Sequence, residues 1–275
     1  MAKRFLAAVL GVPLILAVVF LGGSVPILFD IAVAIICVFC VGEFVLANGT
    51  AKLYPLSVPC VLFAGTYPMI LTYGYGLLAG YVYTGIMLTV MVFFHQKITY
   101  KEFAYTYGMT LLITVALSSI VMMKNADAAH ASLYFVLSLG LPWMADIGAY
   151  FTGSFLGRHK LCPSISPKKT IEGVVGGVLF CIVATCFVGW LFSLLLYQQS
   201  VQVQYTALAV MALFGSFLSV IGDLSFSVIK RYFSIKDYGF IIPGHGGFLD
   251  RFDSVIMVAP FMLVFMTYWP IITVV

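Results

Sequence analysis

The sequence predicts an all-α, polytopic membrane protein with about nine transmembrane helices and a cytoplasmic N-terminus. Three observations predict this fold class. Of the 275 residues, 63% are hydrophobic and only 9% are charged, whereas soluble domains average roughly 25% charged residues. The apolar residues form runs close to the length of about 20 residues that a transmembrane helix needs. The basic residues gather in alternate connections between those runs, which is the positive-inside pattern.

Nine apolar runs are long enough to be predicted as membrane spans. The first follows Lys3 and Arg4 and resembles a signal peptide. It is long, however, it is not followed by an A-x-A cleavage site, and it leads directly into another run, so we predict that it is a membrane span. The predicted spans lie near residues 5–22, 25–47, 54–73, 76–94, 103–123, 131–152, 171–197, 205–229 and 254–274.

The positions of the basic residues predict the orientation. Lysines and arginines lie at the N-terminus or in connections that nine spans place on one side, and Lys124 is the exception. Because basic connections stay in the cytoplasm, we expect a cytoplasmic N-terminus and an external C-terminus in the inner (cell) membrane. This placement also accounts for the net charge of +4, so we expect membrane lipids, and no nucleic acid, as partners.

The charged residues divide the chain unevenly. We predict one membrane domain with an N-terminal scaffold of spans, residues 1–130, and a C-terminal catalytic half, residues 131–275. The connections 153–170 and 231–253, with the spans that border them, hold more than half of the charged residues. Glycines four residues apart are predicted to make local helix contacts rather than to mark dimerisation; they are Gly76 and Gly80, Gly153 and Gly157, and Gly173 and Gly177.

The end of the eighth predicted span carries an unusual set of polar residues. Asp223, Ser227, Lys230 and Arg231 are spaced to share one helical face. A carboxylate inside a span costs roughly 2.5–3.5 kcal/mol on insertion scales and usually faces a polar cavity or a partner. The structural alternative is an internal ion pair between Asp223 and Arg231, two helical turns apart.

A glycine-rich loop follows this span. Its core, Pro243-Gly-His-Gly-Gly247, would let backbone N–H groups approach a ligand closely. It matches neither the Walker A pattern nor a dinucleotide fingerprint. Taken singly, Asp250 or Asp253 would also serve as an ordinary helix cap. The charged residues around the loop are Lys236, Asp237, Asp250, Arg251 and Asp253.

The types of residue in this region indicate a reaction class. Carboxylates without thiol ligands and with a single histidine suit Mg²⁺, which is usually held by one or two carboxylates together with substrate phosphates. The neighbouring lysines and arginines suit phosphate oxygens. Together they predict phosphoryl or nucleotidyl transfer, where catalysis consists largely of positioning and charge neutralisation.

A second polar region runs from Asp146 to Glu172. The spacing of Asp146 and Tyr150 predicts a helix face that carries a buried acid and a phenol. Serine, threonine and two lysines then precede the seventh predicted span, where they would bind an anion at the positive end of a helix. The alternative is that the lysines only anchor the chain among lipid headgroups. The candidate substrate-binding residues here are Asp146, Tyr150, Arg158, Lys160, Ser166, Lys168, Lys169 and Thr170.

From Ser227 to Asp253 the sequence resembles the signature of the phosphatidate cytidylyltransferases, or CDP-diacylglycerol synthases. The resemblance extends over residues 140–275, and over 1–130 only as a pattern of spans. The signature positions matched here are Ser227, Lys230, Arg231, Lys236, Asp237, Gly239, Pro243, His245, Gly246, Gly247, Asp250, Arg251 and Asp253.

The resemblance implies transfer of CMP from CTP to phosphatidate, giving CDP-diacylglycerol and pyrophosphate. It implies Mg²⁺ held by Asp223 and Asp250, a second cation such as K⁺ nearby, and a homodimer. Ser227, Gly246 and Gly247 are further candidates for substrate binding. The candidate catalytic residues are Asp223, Lys230, Arg231, Lys236, Asp237, His245, Asp250, Arg251 and Asp253. No role is assigned to Asp30, Glu43, His95 or His130.

Two other functions fit the composition. One is another CTP-dependent lipid kinase or transferase, such as a polyprenol kinase, which the complete signature disfavours. The other is an organic-anion transporter in which Asp146 and Asp223 couple to cations. A transporter typically has inverted repeats and helices broken at the midplane, whereas the polar residues here gather at one predicted membrane face.

Labelling of an introduced cysteine tests the predicted orientation. Because residues 231–253 are predicted to be cytoplasmic, a membrane-impermeant thiol reagent should label Ser234→Cys only after the inner face has been opened. Cys162, which is predicted to lie on the same side, is replaced by serine so that it does not add to the signal. Labelling of intact cells from outside would contradict this orientation.

Overall fold

The computed structural model describes residues 17–22, 24–197, 201–239 and 246–274, and these residues are mostly helical. Seven of the helices are long and apolar enough to cross a membrane. The chain is therefore an all-α, multi-pass membrane protein, as predicted. The seven candidate spans contain α1 (Ile27–Ala47), α2 (Tyr54–Thr72), α3 (Gly76–Phe93), α4 (Tyr100–Ala126), α5 (Ala131–Leu156), α6 (Ile171–Leu195) and α7 (Tyr205–Tyr232). An eighth long helix, α8 (Leu249–Tyr268), is not among the seven.

The first and the last predicted spans differ from the others. The first lies mainly outside the described residues, and its end, residues 17–22, is helical. The last was predicted at 254–274, but α8 begins at Leu249 and ends at Tyr268. Pro270 follows two residues later, and the residue before a proline is disfavoured in a helix. Residues Ile272–Val274 instead form an antiparallel pair of strands with Val201–Val203.

The two long connections are also shorter than predicted. The last residues of the connection 231–253 belong to α8, in whose first turns Leu249 and Phe252 are buried. Helix α5 extends to Leu156, and the remainder of the connection 153–170 contains a hairpin. Its strands are β1 (Lys160–Cys162) and β2 (Ser166–Thr170), with β3 (Val201–Val203) and β4 (Ile272–Val274) forming the other pair.

The chain forms two compact units. One contains residues up to Ser132 together with the Tyr232–Phe252 segment, and the other contains Leu133–Arg231 and the residues from Asp253 onwards. In the first unit α1, α2 and α4 pack on one another, and α3 packs against α2. The second unit contains most of α5, α7 and α8, all of α6, the β1–β2 hairpin and the β3–β4 pair. The predicted functional division at residue 130 stays a prediction.

A buried ion pair joins three helices of the first unit. Lys124 Nζ lies 2.5 Å from Asp30 Oδ1, and Thr72 Oγ1 donates to Asp30 Oδ2 at 3.0 Å. Asp30 is in the first turn of α1, Thr72 ends α2 and Lys124 is in the last turn of α4. Lys124, the exception to the charge pattern, therefore has a structural partner, and its position in the sequence does not conflict with the predicted orientation.

This pair predicts a specific pattern of stability. Asp30→Asn removes the carboxylate charge and leaves the ammonium of Lys124 buried without compensation, which should cost roughly 3–5 kcal/mol. The double variant Asp30→Leu with Lys124→Met should recover most of that loss, because no buried charge remains. Thermal unfolding in detergent measures both effects. An unchanged midpoint in Asp30→Asn would contradict a structural role for the pair.

Candidate active site

A cavity of about 390 Å³ opens in the second unit. Helices α5, α6 and α7 and the β1–β2 hairpin all contribute to its lining. The predicted substrate-binding residues found in the lining are Asp146, Tyr150, Lys160, Lys168, Lys169 and Thr170, while Arg158 and Ser166 are not among its lining residues. The structure thus brings together most of the residues that were predicted from the Asp146–Glu172 region.

The hairpin sets the positions of the lysines. Strands β1 and β2 are antiparallel, with Lys160 opposite Thr170. Thr170 then caps α6, because its Oγ1 accepts from the backbone N–H of Gly173 at 3.1 Å. Three lysines are thereby held beside the first turn of α6, where the unpaired backbone N–H groups and the helix dipole favour anions.

Glycines allow α5 and α6 to approach closely beneath this cavity. A Cβ at Gly173 would lie 2.9 Å from the Ala149 carbonyl oxygen, and one at Gly177 would lie 2.6 Å from that of Ala145. A Cβ at Gly153 would lie 2.8 Å from Thr170 Oγ1. The prediction of local helix contacts is confirmed for these two glycine pairs, and it fails for Gly80, where nothing lies within 4 Å.

Three aspartates and two lysines of this unit interact through their charges. Lys169 Nζ lies 2.5 Å from Asp223 Oδ2, and Lys230 Nζ lies 3.9 Å from Asp253 Oδ2. Asp253 also experiences the negative charges of Asp223 and Asp146. We call Asp146, Asp223 and Asp253 the acidic cluster. Asp223 thus has an ion-pair partner on β2 that its spacing along α7 could not reveal.

The exposure of these side chains differs in part from the prediction. Asp146 was predicted to be a buried acid, but it is exposed, because it lines a cavity that is open. Asp253, in contrast, is only 4% exposed. On α7, Ser227 and Lys230 are buried and Arg231 is exposed. The polar face predicted for α7 therefore runs from the interior to the surface.

The acidic cluster offers ligands of the kind that Mg²⁺ takes. Asp253 Oδ2 is buried and, within the part of the chain that the structure describes, it accepts no hydrogen bond. Repulsion between Asp253 and Asp223 would be relieved by a cation. The described residues contain no group of three or more His, Cys, Asp or Glu side chains close enough to hold a metal. The cluster therefore fits an ion that takes one or two carboxylates together with phosphate oxygens.

The predicted loop residues lie in the first unit. Asp250 Oδ2 accepts from the backbone N–H groups of Tyr238 at 2.9 Å and Gly247 at 3.0 Å. Gly246 has a φ of +83°, a conformation that favours glycine. Lys236 and Arg251 are exposed. His245 and the rest of residues 240–245 lie outside the described residues. Asp223 and Asp250 belong to different units, and their pairing on one metal stays a prediction.

Glu43 is one of the polar residues of the first unit to which the sequence assigned no role. Glu43 lies in α1 and is only 1% exposed, and its Oε2 accepts from the backbone N–H of Leu249 at 2.8 Å. The sequence did contain an indication that Glu43 is important, because a carboxylate within an apolar span costs free energy and usually has a partner or a function. Its partner was not predictable, because it lies 206 residues further along the chain.

With this fold and site, the chain belongs to the cytidylyltransferase family, whose model matches residues 2–269. Among individual proteins, it is similar to a phosphatidate cytidylyltransferase of Bacillus subtilis (strain 168), with 35% identity over 177 residues, 64% of this chain and 63% of that protein. A phosphatidate cytidylyltransferase of Staphylococcus aureus (strain COL) is 33% identical over 178 residues, 64% of this chain and 66% of that protein. The matches thus span just under two thirds of these relatives. The family predicted from the signature is confirmed.

The close approach of α5 and α6 predicts a stability effect. Gly177→Val should destabilise the protein by about 1–3 kcal/mol, because the new side chain would force the two helices apart. Gly85→Val is a matched control, since a Cβ at this exposed position in α3 would have nothing within 4 Å. Thermal unfolding in detergent compares the two variants. Equal midpoints would contradict a close contact at Gly177.

Proposed function

We propose that the protein is a phosphatidate cytidylyltransferase, which transfers CMP from CTP to phosphatidate and releases pyrophosphate. The observation that carries this proposal is the cavity of the second unit, where lysines of one hairpin lie beside the acidic cluster. Such a site suits a reaction between two phosphate-bearing substrates. Membership of the cytidylyltransferase family and the names of the similar proteins support it.

The chemistry needs positioning rather than a strong base. A phosphate oxygen of phosphatidate attacks the α-phosphorus of CTP, a new O–P bond forms, and the bond to the β-phosphate breaks so that pyrophosphate leaves with its electron pair. The attacking oxygen is already anionic. The main barrier is therefore the repulsion between two polyanions, which fixed cations and orientation lower.

The three lysines of the cavity and Lys230, which lies near the acidic cluster, have distinct roles in this proposal. Lys160 and Lys168 are exposed and offer N–H donors to phosphate oxygens. Lys169 is held by Asp223, so its ammonium is oriented before substrate binds. Lys230 is buried near Asp253 and compensates the acidic cluster. Preorganised charges of this kind do not have to reorient during the reaction.

Mg²⁺ is part of the proposal, with Asp223 and Asp250 as its carboxylate ligands. When bound, it would offset the negative charge of the triphosphate. The backbone N–H groups of Tyr238 and Gly247 fix the orientation of the Asp250 carboxylate, as outer groups commonly do for a metal ligand. A second cation such as K⁺, a homodimer, and a location in the inner membrane with the site facing the cytoplasm belong to the same proposal.

The position of the label in CTP separates the candidate activities. Purified protein is incubated with phosphatidate, Mg²⁺ and CTP labelled with ³²P at either the α or the γ position. Cytidylyl transfer moves only the α label into the lipid fraction. A lipid kinase would instead move only the γ label. Absence of label from the lipid in both reactions would contradict the proposed function.

Substitution of the two proposed ligands tests the metal assignment. Asp223→Asn and Asp250→Asn preserve size but remove charge, so each should lower Mg²⁺-dependent activity strongly. The double variant should be scarcely worse than either single variant, because residues that act as a unit are not additive. Glu102→Gln, at an exposed capping box of α4, is a control that should retain activity.

The competing role for Asp223 is neutralisation of Lys169. Under that role, Asp223→Asn would lower thermal stability because Lys169 is left without its partner, and adding Lys169→Gln would restore the unfolding midpoint. A lowered midpoint in Asp223→Asn that recovers in the Asp223/Lys169 double variant would therefore contradict the assignment of Asp223 to a metal. Thermal unfolding of each variant establishes that folded protein is being compared.

A further inference from the structure

We propose that Glu43 is a positioning residue for the proposed reaction, and that it acts through Asp250. Its buried carboxylate holds the backbone at the start of α8 and on both sides of residues 240–245, all within the first unit. This inference rests on the proposed function, because the consequence of misplacing Asp250 is measured as a change in CTP use.

The first contact is with the beginning of α8. Leu249 is the first residue of that helix, and the first backbone N–H groups of a helix have no acceptor within it. Capping is usually local, by a side chain just before the helix. Here the acceptor of the Leu249 N–H is Glu43 Oε2, at 2.8 Å. A carboxylate is also favoured at this end of the helix by the helix dipole.

The second contact is with two glycines of the signature. A Cβ at Gly239 would lie 2.4 Å from Glu43 Oε1, and a Cβ at Gly247 would lie 2.6 Å from Glu43 Oε2. Both distances are far shorter than a van der Waals contact. The backbone at these positions therefore packs directly on the carboxylate, and a side chain at either position would displace Glu43. This gives a structural reason for both glycines; for Gly247 it stands beside the phosphate approach predicted from the sequence.

Asp250 binds the same stretch of backbone. Its Oδ2 accepts from the backbone N–H groups of Tyr238 and Gly247, which lie at or beside the glycines on which Glu43 packs. A Cβ at Gly247 would lie 2.9 Å from Asp250 Oδ2 as well as 2.6 Å from Glu43 Oε2. Displacement of Glu43 would thus move Gly247, and the Asp250 carboxylate would lose one of the two donors that orient it.

Apolar packing alone does not account for a carboxylate at this position. Aromatic pairs already join α1 to the Tyr232–Phe252 segment: Phe39 with Phe248 at 5.2 Å between ring centroids, and Phe44 with Tyr238 at 6.3 Å. A leucine at position 43 would add to this packing without the cost of placing an acid in an apolar span. The carboxylate contributes what leucine does not, which is acceptance of a backbone hydrogen bond.

The test compares Glu43→Gln with Glu43→Leu. Glutamine keeps an oxygen that accepts the Leu249 N–H, so Glu43→Gln should stay close to the unsubstituted protein. Glu43→Leu should lower kcat/KM for CTP by about 10–100-fold, the range found when groups that orient a ligand are removed. KM for CTP should rise while KM for phosphatidate stays unchanged. Loss of folded protein alone would lower the maximal rate without changing KM.

A matched control comes from the other buried acid of α1. Asp30→Leu with Lys124→Met also removes a buried carboxylate from this helix, but Asp30 contacts Lys124 and Thr72, whereas Glu43 accepts from the backbone N–H of Leu249. It should keep the KM for CTP of the unsubstituted protein. An equal rise of KM in this control and in Glu43→Leu would contradict a specific role for Glu43.

A double-variant cycle tests the contact with Gly239. Gly239→Ala should lower activity in the unsubstituted protein, because its Cβ collides with the carboxylate. In a Glu43→Ala background the same change should cost little, because space has been created. Side chains that touch show such non-additivity, whereas independent ones do not. Additive losses would contradict the packing of Gly239 on Glu43.

Hydrogen exchange gives a readout that does not depend on activity. The backbone amides of Gly247 and Leu249 should exchange faster in Glu43→Leu and at the original rate in Glu43→Gln. If the unsubstituted protein transfers no CMP but these exchange rates change as expected, the proposed function fails while the positioning of the backbone stands. Unchanged exchange together with unchanged KM for CTP in Glu43→Leu would overturn the proposal for Glu43.

Discussion

The structure depends on one constraint: a charge within an apolar span must find its partner inside the protein. Lipid offers neither hydrogen bonds nor counter-ions, and a buried charge without a partner is costly. Four buried or half-buried carboxylates meet this requirement. Asp30 binds Lys124, Asp223 binds Lys169 and Asp253 lies near Lys230, and Glu43 accepts a hydrogen bond from a backbone N–H.

The carboxylates of the two units differ in their surroundings. In the first unit, Asp30 and Glu43 are enclosed, and their contacts fix helices α1, α4 and α8 relative to one another within that unit. In the second unit, Asp146 lines an open cavity and Asp223 is half-buried beside the cavity lysine Lys169. These partly exposed carboxylates remain available to a substrate or an ion. The buried Asp253 is the exception in that unit, because it belongs to the acidic cluster although it is enclosed.

Hydropathy was sufficient to predict most of the long helices, because a membrane span is a local property of about 20 residues. The spans at α1, α2, α3 and α6 begin and end within about two residues of their predicted limits. The beginning of α8 was missed because its first turn mixes charged and apolar residues, so no apolar run marks it. The hairpin before α6 was missed because it is short and rich in lysine, which is depleted in strands.

The types of residue at the site could be predicted from the sequence, but the contacts between them could not. Spacing along one helix placed Asp223 near Ser227 and Lys230, yet its ion pair is with Lys169 on a strand. Likewise, Gly247 was predicted to let the backbone approach phosphate and Gly239 was only a position of the signature, yet both glycines make room for Glu43. The spacing of residues within one helix predicts which of them share a face. A partner that lies far along the chain depends on how the helices and strands pack, which the spacing does not show. The role of Glu43 thus became evident only when α1 and the start of α8 were seen together.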